Sequence, residues 1–112
     1  MESGDKLNKV ERLAIESDTI EALKRIYDPE IPVNIYDLGL IYSVDVREDA
    51  IVHVEMTLTA PGCPVAVSMP IEVEESIKQV RGVFDAIVDV VWDPPWTPDR
   101  MSEAAKLELG WL

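Results

Sequence analysis

The chain holds a single cysteine, a single histidine and a single phenylalanine among its 112 residues. One cysteine excludes an intrachain disulfide and any all-cysteine metal site built by one chain. It also excludes a CxxC redox or zinc pair. One histidine, His53, excludes a multi-histidine metal cluster, and no Ser-His-Asp set stands out in the sequence. No Gly-rich phosphate loop occurs. No apolar run reaches the roughly 18 residues needed to span a bilayer. The first residues, Met1–Glu16, are too charged for a secretory leader. The expectation is a reducing, cytoplasmic setting.

Positive charge is also scarce. Ten Lys and Arg face 22 Asp and Glu, a formal net charge of −12. Such a surface repels phosphate backbones, so no nucleic acid is expected as a partner. Anionic membrane surfaces are disfavoured for the same reason. An acidic surface serves solubility, and it also suits docking on basic patches of proteins.

What is present reads as one domain with one core. Residues 1–16 are expected as an N-terminal arm, and 17–112 as the folded domain. Ser17–Tyr27 has helical spacing, with Asp18 and Glu21 at capping-box distance and Ile20, Leu23 and Tyr27 on one stripe. Asp28-Pro29 stops it. Asp28–Gly39 is a structured loop, too apolar to be merely solvated. Leu40–Arg47 and Ala50–Thr59 alternate as two strands with one buried face each, joined by a turn near Glu48-Asp49. On the second, Val52, Val54, Met56 and Leu58 face the core, and His53, Glu55, Thr57 and Thr59 face away.

Ala60-Pro61-Gly62-Cys63-Pro64 breaks the strand. A helix follows over Val65–Val80 with Met69, Val73 and Ile77 on its stripe, and Gly82 beyond its end. Pro70 inside it is expected to kink it or to delay its start to about Ser68. Val83–Trp92 is a third strand with Phe84, Ala86, Val88, Val90 and Trp92 on one face. Thr97-Pro98-Asp99 opens a last helix, with Thr97 as cap. The order α-β-β-α-β-α gives a compact α+β domain: a small mixed sheet with helices packed mainly on one face.

Cys63 is the sharpest chemical feature. It sits in a loop between two prolines, just before a helix start, where free N–H groups and the dipole favour a thiolate. A thiolate ligates soft metals or attacks electrophiles. A buried, inert cysteine is the competing reading. One thiolate cannot hold an iron–sulfur cluster, which takes about four protein ligands. Any cluster would therefore need a second subunit, a partner protein or small thiols, and a homodimer would bring two Cys63 together. His53 and Glu55 share a strand face and read as solvated. Asp37 and Thr59 stand beside turns that would flank Cys63, either bonding the thiolate or its ligand or closing their own turns. Trp92 is expected in the core; Trp96, if exposed, is a partner-binding surface.

Three segments together resemble a known family: DPEIPVNIYDLGLIY (Asp28–Tyr42), TLTAPGCP (Thr57–Pro64) and VVWDPPWTPDRMSEAAKLELG (Val90–Gly110). They are similar to the SufT-like metal–sulfur cluster assembly factors, whose domain is shared with PaaD and with the eukaryotic cytosolic iron–sulfur targeting factor. The resemblance implies a non-enzymatic assembly or maturation factor of the SUF type. It implies transient binding of iron or an iron–sulfur cluster and partnership with scaffold or client proteins. The family's reactive cysteine carries over to Cys63 and its loop acid to Asp37. Its strand-end threonine carries over to Thr57 or Thr59. The alternative is a metal-free adaptor or accessory protein for a multicomponent oxygenase or cluster-carrier complex, with Cys63 structural. PaaD-like members carry extra C-terminal cysteines that this chain lacks, which counts against the oxygenase version.

Overall fold

The computed structural model describes residues 6–28, 31–59 and 65–110, of which 65–67 are described in backbone only. The first helix, α1, spans Lys9–Leu23. It therefore starts well before Ser17. The working capping box is Asn8 with Glu11: Asn8 Oδ1 accepts from the Glu11 N–H and Glu11 Oε1 accepts from the Asn8 N–H, at 2.8 and 2.9 Å. Asp18 and Glu21 have the same spacing but lie mid-helix. The earlier start shifts the buried stripe to Ile15, Thr19 and Leu23, and leaves Tyr27 exposed beyond the helix end. Leu7 N–H bonds Glu48 O, which ties the helix entrance to the β1–β2 turn.

Strands β1 (Ile41–Val46) and β2 (Ile51–Met56) pair antiparallel, and β3 (Asp85–Val90) pairs parallel to β2, giving a mixed sheet of order β1-β2-β3. The turn between β1 and β2 places Ala50 at φ +67°, so a three-residue loop closes the hairpin. This explains how a Glu-Asp pair can sit in it: the left-handed position falls on the next residue. Val52, Val54 and Met56 of β2 and Ala86 of β3 are buried, as alternation demands. Alternation stops at the strand end, where Thr57 is fully buried between Met56 and Leu58 rather than on the polar face.

Helix α2 spans Val65–Lys78 with Pro70 inside it, so the proline does not delay the start. Met69, Val73 and Ile77 are its buried stripe, and Gly82 at φ +94° follows its end. α2 packs on β3, and α1 packs on α2 and β1, so helices cover one sheet face. Lys78 lies 3.4 Å from Glu74 and 3.7 Å from Asp85. Glu74 above all holds its ammonium above the ordinary 10.5, so this stabilisation is complete below that pH and is lost only as pH rises past it.

Phe84 and Trp92 are corrections. They are 80% and 45% exposed, because β3 spans only Asp85–Val90, so Phe84 lies before its start and Trp92 beyond its end. The last helix also differs. Thr97 precedes only a 3-10 turn, Pro98–Arg100, and makes no side-chain cap bond. The α-helix α3 spans Glu103–Glu108, capped by Ser102, whose Oγ accepts from the Ala105 N–H at 3.1 Å. Met101, between the two, is buried.

Candidate functional site

Strand directions decide which loops meet. β1 runs against β2, and β3 runs with it, so Ile41, Met56 and Val90 form one row. The turn before β1, the segment after β2 and the segment after β3 therefore leave from the same end of the sheet. The N-terminus of α2 lies there too, because that helix returns the chain from the end of β2 to the start of β3. The space beyond the carboxyl ends of parallel strands is where open sheets form ligand crevices. A helix N-terminus there adds unpaired N–H groups and a favourable field for an anion.

Asp37 is set into this end by a reciprocal box. Asn34 Nδ2 donates to Asp37 Oδ2 at 2.8 Å, and the Asp37 N–H donates to Asn34 Oδ1 at 2.9 Å. Gly39, at φ +88°, turns the chain toward β1, and any Cβ there would run into the backbone carbonyl of Arg100. That close approach marks how the segment after β3 is strapped over the turn. Ser102 N–H donates to Asp37 O, Trp96 Nε1 to Leu38 O and Tyr42 Oη to Pro94 O, all within 2.8 Å. The Arg100 guanidinium stacks 4.7 Å from the Tyr42 ring centre. An open cleft of about 650 Å³ remains beneath the strap, and Asp37, Glu55, Asp93, Tyr42, Arg100 and Ser102 line it.

Thr57 and Asp37 thus belong to one end of the molecule, joined through the backbone by Thr57 N–H bonding Leu40 O at 2.8 Å. The Thr57 Oγ1 is fully buried and has no hydrogen-bond partner among the described residues. Thr59 is half-buried just beyond it. Cys63 lies outside the described residues, as does the rest of its loop, 60–64. Trp96 is half-buried and held by Leu38, so its ring shapes the strap. His53 sits mid-β2 between Asp45 and Ile87, away from this end. Among the described residues no three His, Cys, Asp or Glu side chains converge to hold a metal ion. No described helix is long and apolar enough to cross a membrane.

Sequence reasoning missed Tyr42, Arg100, Asp93 and Ser102 as neighbours of Asp37. Their meeting depends on the strap, which no local spacing announces. The Asn34–Asp37 box was visible as an Asx residue three positions before an acid, the same spacing that signals a helix cap.

Comparison with known proteins points one way. The model of the iron–sulfur cluster assembly protein family matches residues 16–90. An Fe-S protein maturation auxiliary factor of Porphyromonas gingivalis is 51% identical over 102 residues, 91% of this chain and 97% of that protein. The Fe-S protein maturation auxiliary factor SufT of Staphylococcus aureus is 40% identical over 85 residues, 76% of this chain and 97% of its own length. A crystal structure titled as a domain of unknown function, DUF59, from Bacillus anthracis superposes with a TM-score of 0.84 at 38% identity, covering 92% of this chain and 98% of that one.

Proposed function

This chain belongs to the iron–sulfur cluster assembly protein family, and from that premise we propose that it serves iron–sulfur cluster maturation as a non-enzymatic factor in the cytoplasm. Cys63 is the working group. As a thiolate it transiently holds iron or a cluster on its way to a client, or engages the sulfur chemistry of a partner. The observation that carries this reading is the gathering of the Asp37 turn, the buried Thr57 hydroxyl and the N-terminus of α2 at one end of the sheet. The Cys63 loop links two of these, since it joins Thr59 to Val65 in the chain.

The roles divide by chemistry. The first turn of α2 offers N–H groups and a dipole field that favour the thiolate form of a nearby thiol. The Thr57 hydroxyl has a hydrogen bond to give, and Thr59 stands beside it. Asp37, bonded by Asn34 on one oxygen, keeps acceptor capacity for a proton or a metal-bound ligand. A single thiolate leaves a cluster short of ligands, so a second copy of the chain, a scaffold or a client supplies the rest.

The test is anaerobic transfer of iron and sulfide onto the purified chain and onto Cys63→Ala, followed by absorbance and native mass. The expected outcome is cluster absorbance on the wild type that disappears in a variant with unchanged far-ultraviolet circular dichroism. Metal on neither protein, with an inert thiol, would replace this reading by that of a metal-free adaptor.

A further inference from the structure

Among the described residues, one face of the sheet carries no helix. On it Glu55 of β2 stands beside Asp89 of β3 in a single row, on strands about 5 Å apart. Both are exposed, and neither makes an ion pair with a Lys or Arg among the described residues. Like charges side by side on neighbouring strands cost stability. In the adjoining row Ile87 is 41% exposed, and Ile51 and Val91 are half-buried along the same face. Solubility alone would not call for apolar side chains between the acids. Apolar ground studded with unpaired carboxylates has instead the makeup of an interface that a basic, partly apolar surface completes.

We propose that this open sheet face docks a basic amphipathic helix of a partner protein. Its apolar stripe lies on Ile51, Ile87 and Val91, and its Lys or Arg residues meet Glu55 and Asp89, whereas Asp45 on the same face is already held by Arg47 at 3.0 Å. Three strands of about six residues offer a platform roughly 14 by 20 Å, the footprint of a helix of about 14 residues. Two other occupants are disfavoured. A second copy would set carboxylates against carboxylates in a protein of net charge −12. A strand added at the β3 edge would meet Asp85, whose carboxylate takes the Ala86 N–H and lies 3.7 Å from Lys78, and charge at an edge opposes strand pairing. Glu55 also lines the cleft with Asp37, so a docked partner sits beside the candidate site. The docking rests on the sheet face alone; only its purpose, presenting a partner to that site, rests on the maturation reading.

The experiment titrates the isotope-labelled full chain with a synthetic helical peptide of about 14 residues, Leu on one stripe and Lys elsewhere, and with a scrambled peptide of equal composition. The expected result is amide shifts confined to residues 43–45, 51–55 and 87–93. Scrambling weakens binding at least about tenfold, and so does Glu55→Gln with Asp89→Asn. The charge-matched pair Glu72→Gln with Glu108→Gln, exposed elsewhere, leaves affinity unchanged. The first pair also melts a few degrees higher than wild type, because it relieves the like-charge row. Shifts spread over the surface, equal losses in both pairs, or shifts along the β3 edge alone would overturn the proposal, as would a dimer abolished by Glu55→Gln. Cys63→Ala binds the peptide as wild type does. Cluster transfer without peptide binding therefore sinks the docking and spares the maturation reading, and the reverse result does the opposite.

Discussion

Thr57 illustrates how a single residue can be legible in two incompatible ways. Strict alternation from Val52 onward puts it on the polar face, yet it is fully buried, because the strand ends at Met56 and the period-two rule ends with it. A buried hydroxyl left unbonded costs roughly 1–3 kcal/mol. The described residues give this one no partner, so its retention at the strand end preceding Cys63 favours a role outside core packing. Thr57→Val keeps the shape and removes the hydroxyl. The expected outcome is stability equal to wild type or greater by up to about 1 kcal/mol in urea unfolding, with slower labelling of the Cys63 thiol by an alkylating reagent. A loss of stability above about 1 kcal/mol with unchanged labelling would make Thr57 a structural bond instead.

The elements show which local signals decide and which merely recur. Asn8 with Glu11 and Asp18 with Glu21 carry the same capping spacing, and only the first begins a helix. What separates them is tertiary: the earlier start buries Ile15, Thr19 and Leu23 together and lets Leu7 bond the β1–β2 turn. Asn8→Ala removes the cap and is expected to cost about 1 kcal/mol of stability, whereas Asp18→Ala, an exposed mid-helix change, costs little or gains slightly from helix propensity. Matching urea midpoints for the two variants would show that the stretch before Ser17 contributes nothing. The same contrast explains what the sequence disclosed. The strands, the buried face of β2, the α2 stripe and the glycine stops follow from period and turn chemistry, which act locally. The core role of Val33, Ile35 and Leu38 showed only as a loop too apolar for solvent. The C-terminal strap did not show at all, because Trp96, Arg100 and Ser102 find their partners more than 50 residues away. The meeting of Asp37 with Thr57 was inferable from strand order, whereas the cleft between Asp37 and Arg100 needed the fold.

At the scale of the whole molecule the excess of acid is the dominant fact. Twenty-two carboxylates against ten cations leave a net −12 on 112 residues, and the ion pairs among the described residues are all at exposed side chains. Exposed pairs are worth little each, while self-repulsion acts over the whole surface. Salt weakens both, so its net effect reveals which is larger. At about 0.01 M the Debye length is near 30 Å, more than the spacing of any two neighbouring charges here; at about 0.15 M it is near 8 Å, and only adjacent groups still interact. Repulsion among distant carboxylates is therefore lost first, and the short pairs such as Lys78 with Glu74 at 3.4 Å survive longer. The melting temperature is expected to rise by a few degrees between these two sodium chloride concentrations, measured by calorimetry at neutral pH. A flat or falling curve would mean that the local pairs outweigh the long-range repulsion. The Glu55–Asp89 row is adjacent and outlasts this screening, so its cost is read separately, from the rise in melting temperature expected of Glu55→Gln with Asp89→Asn.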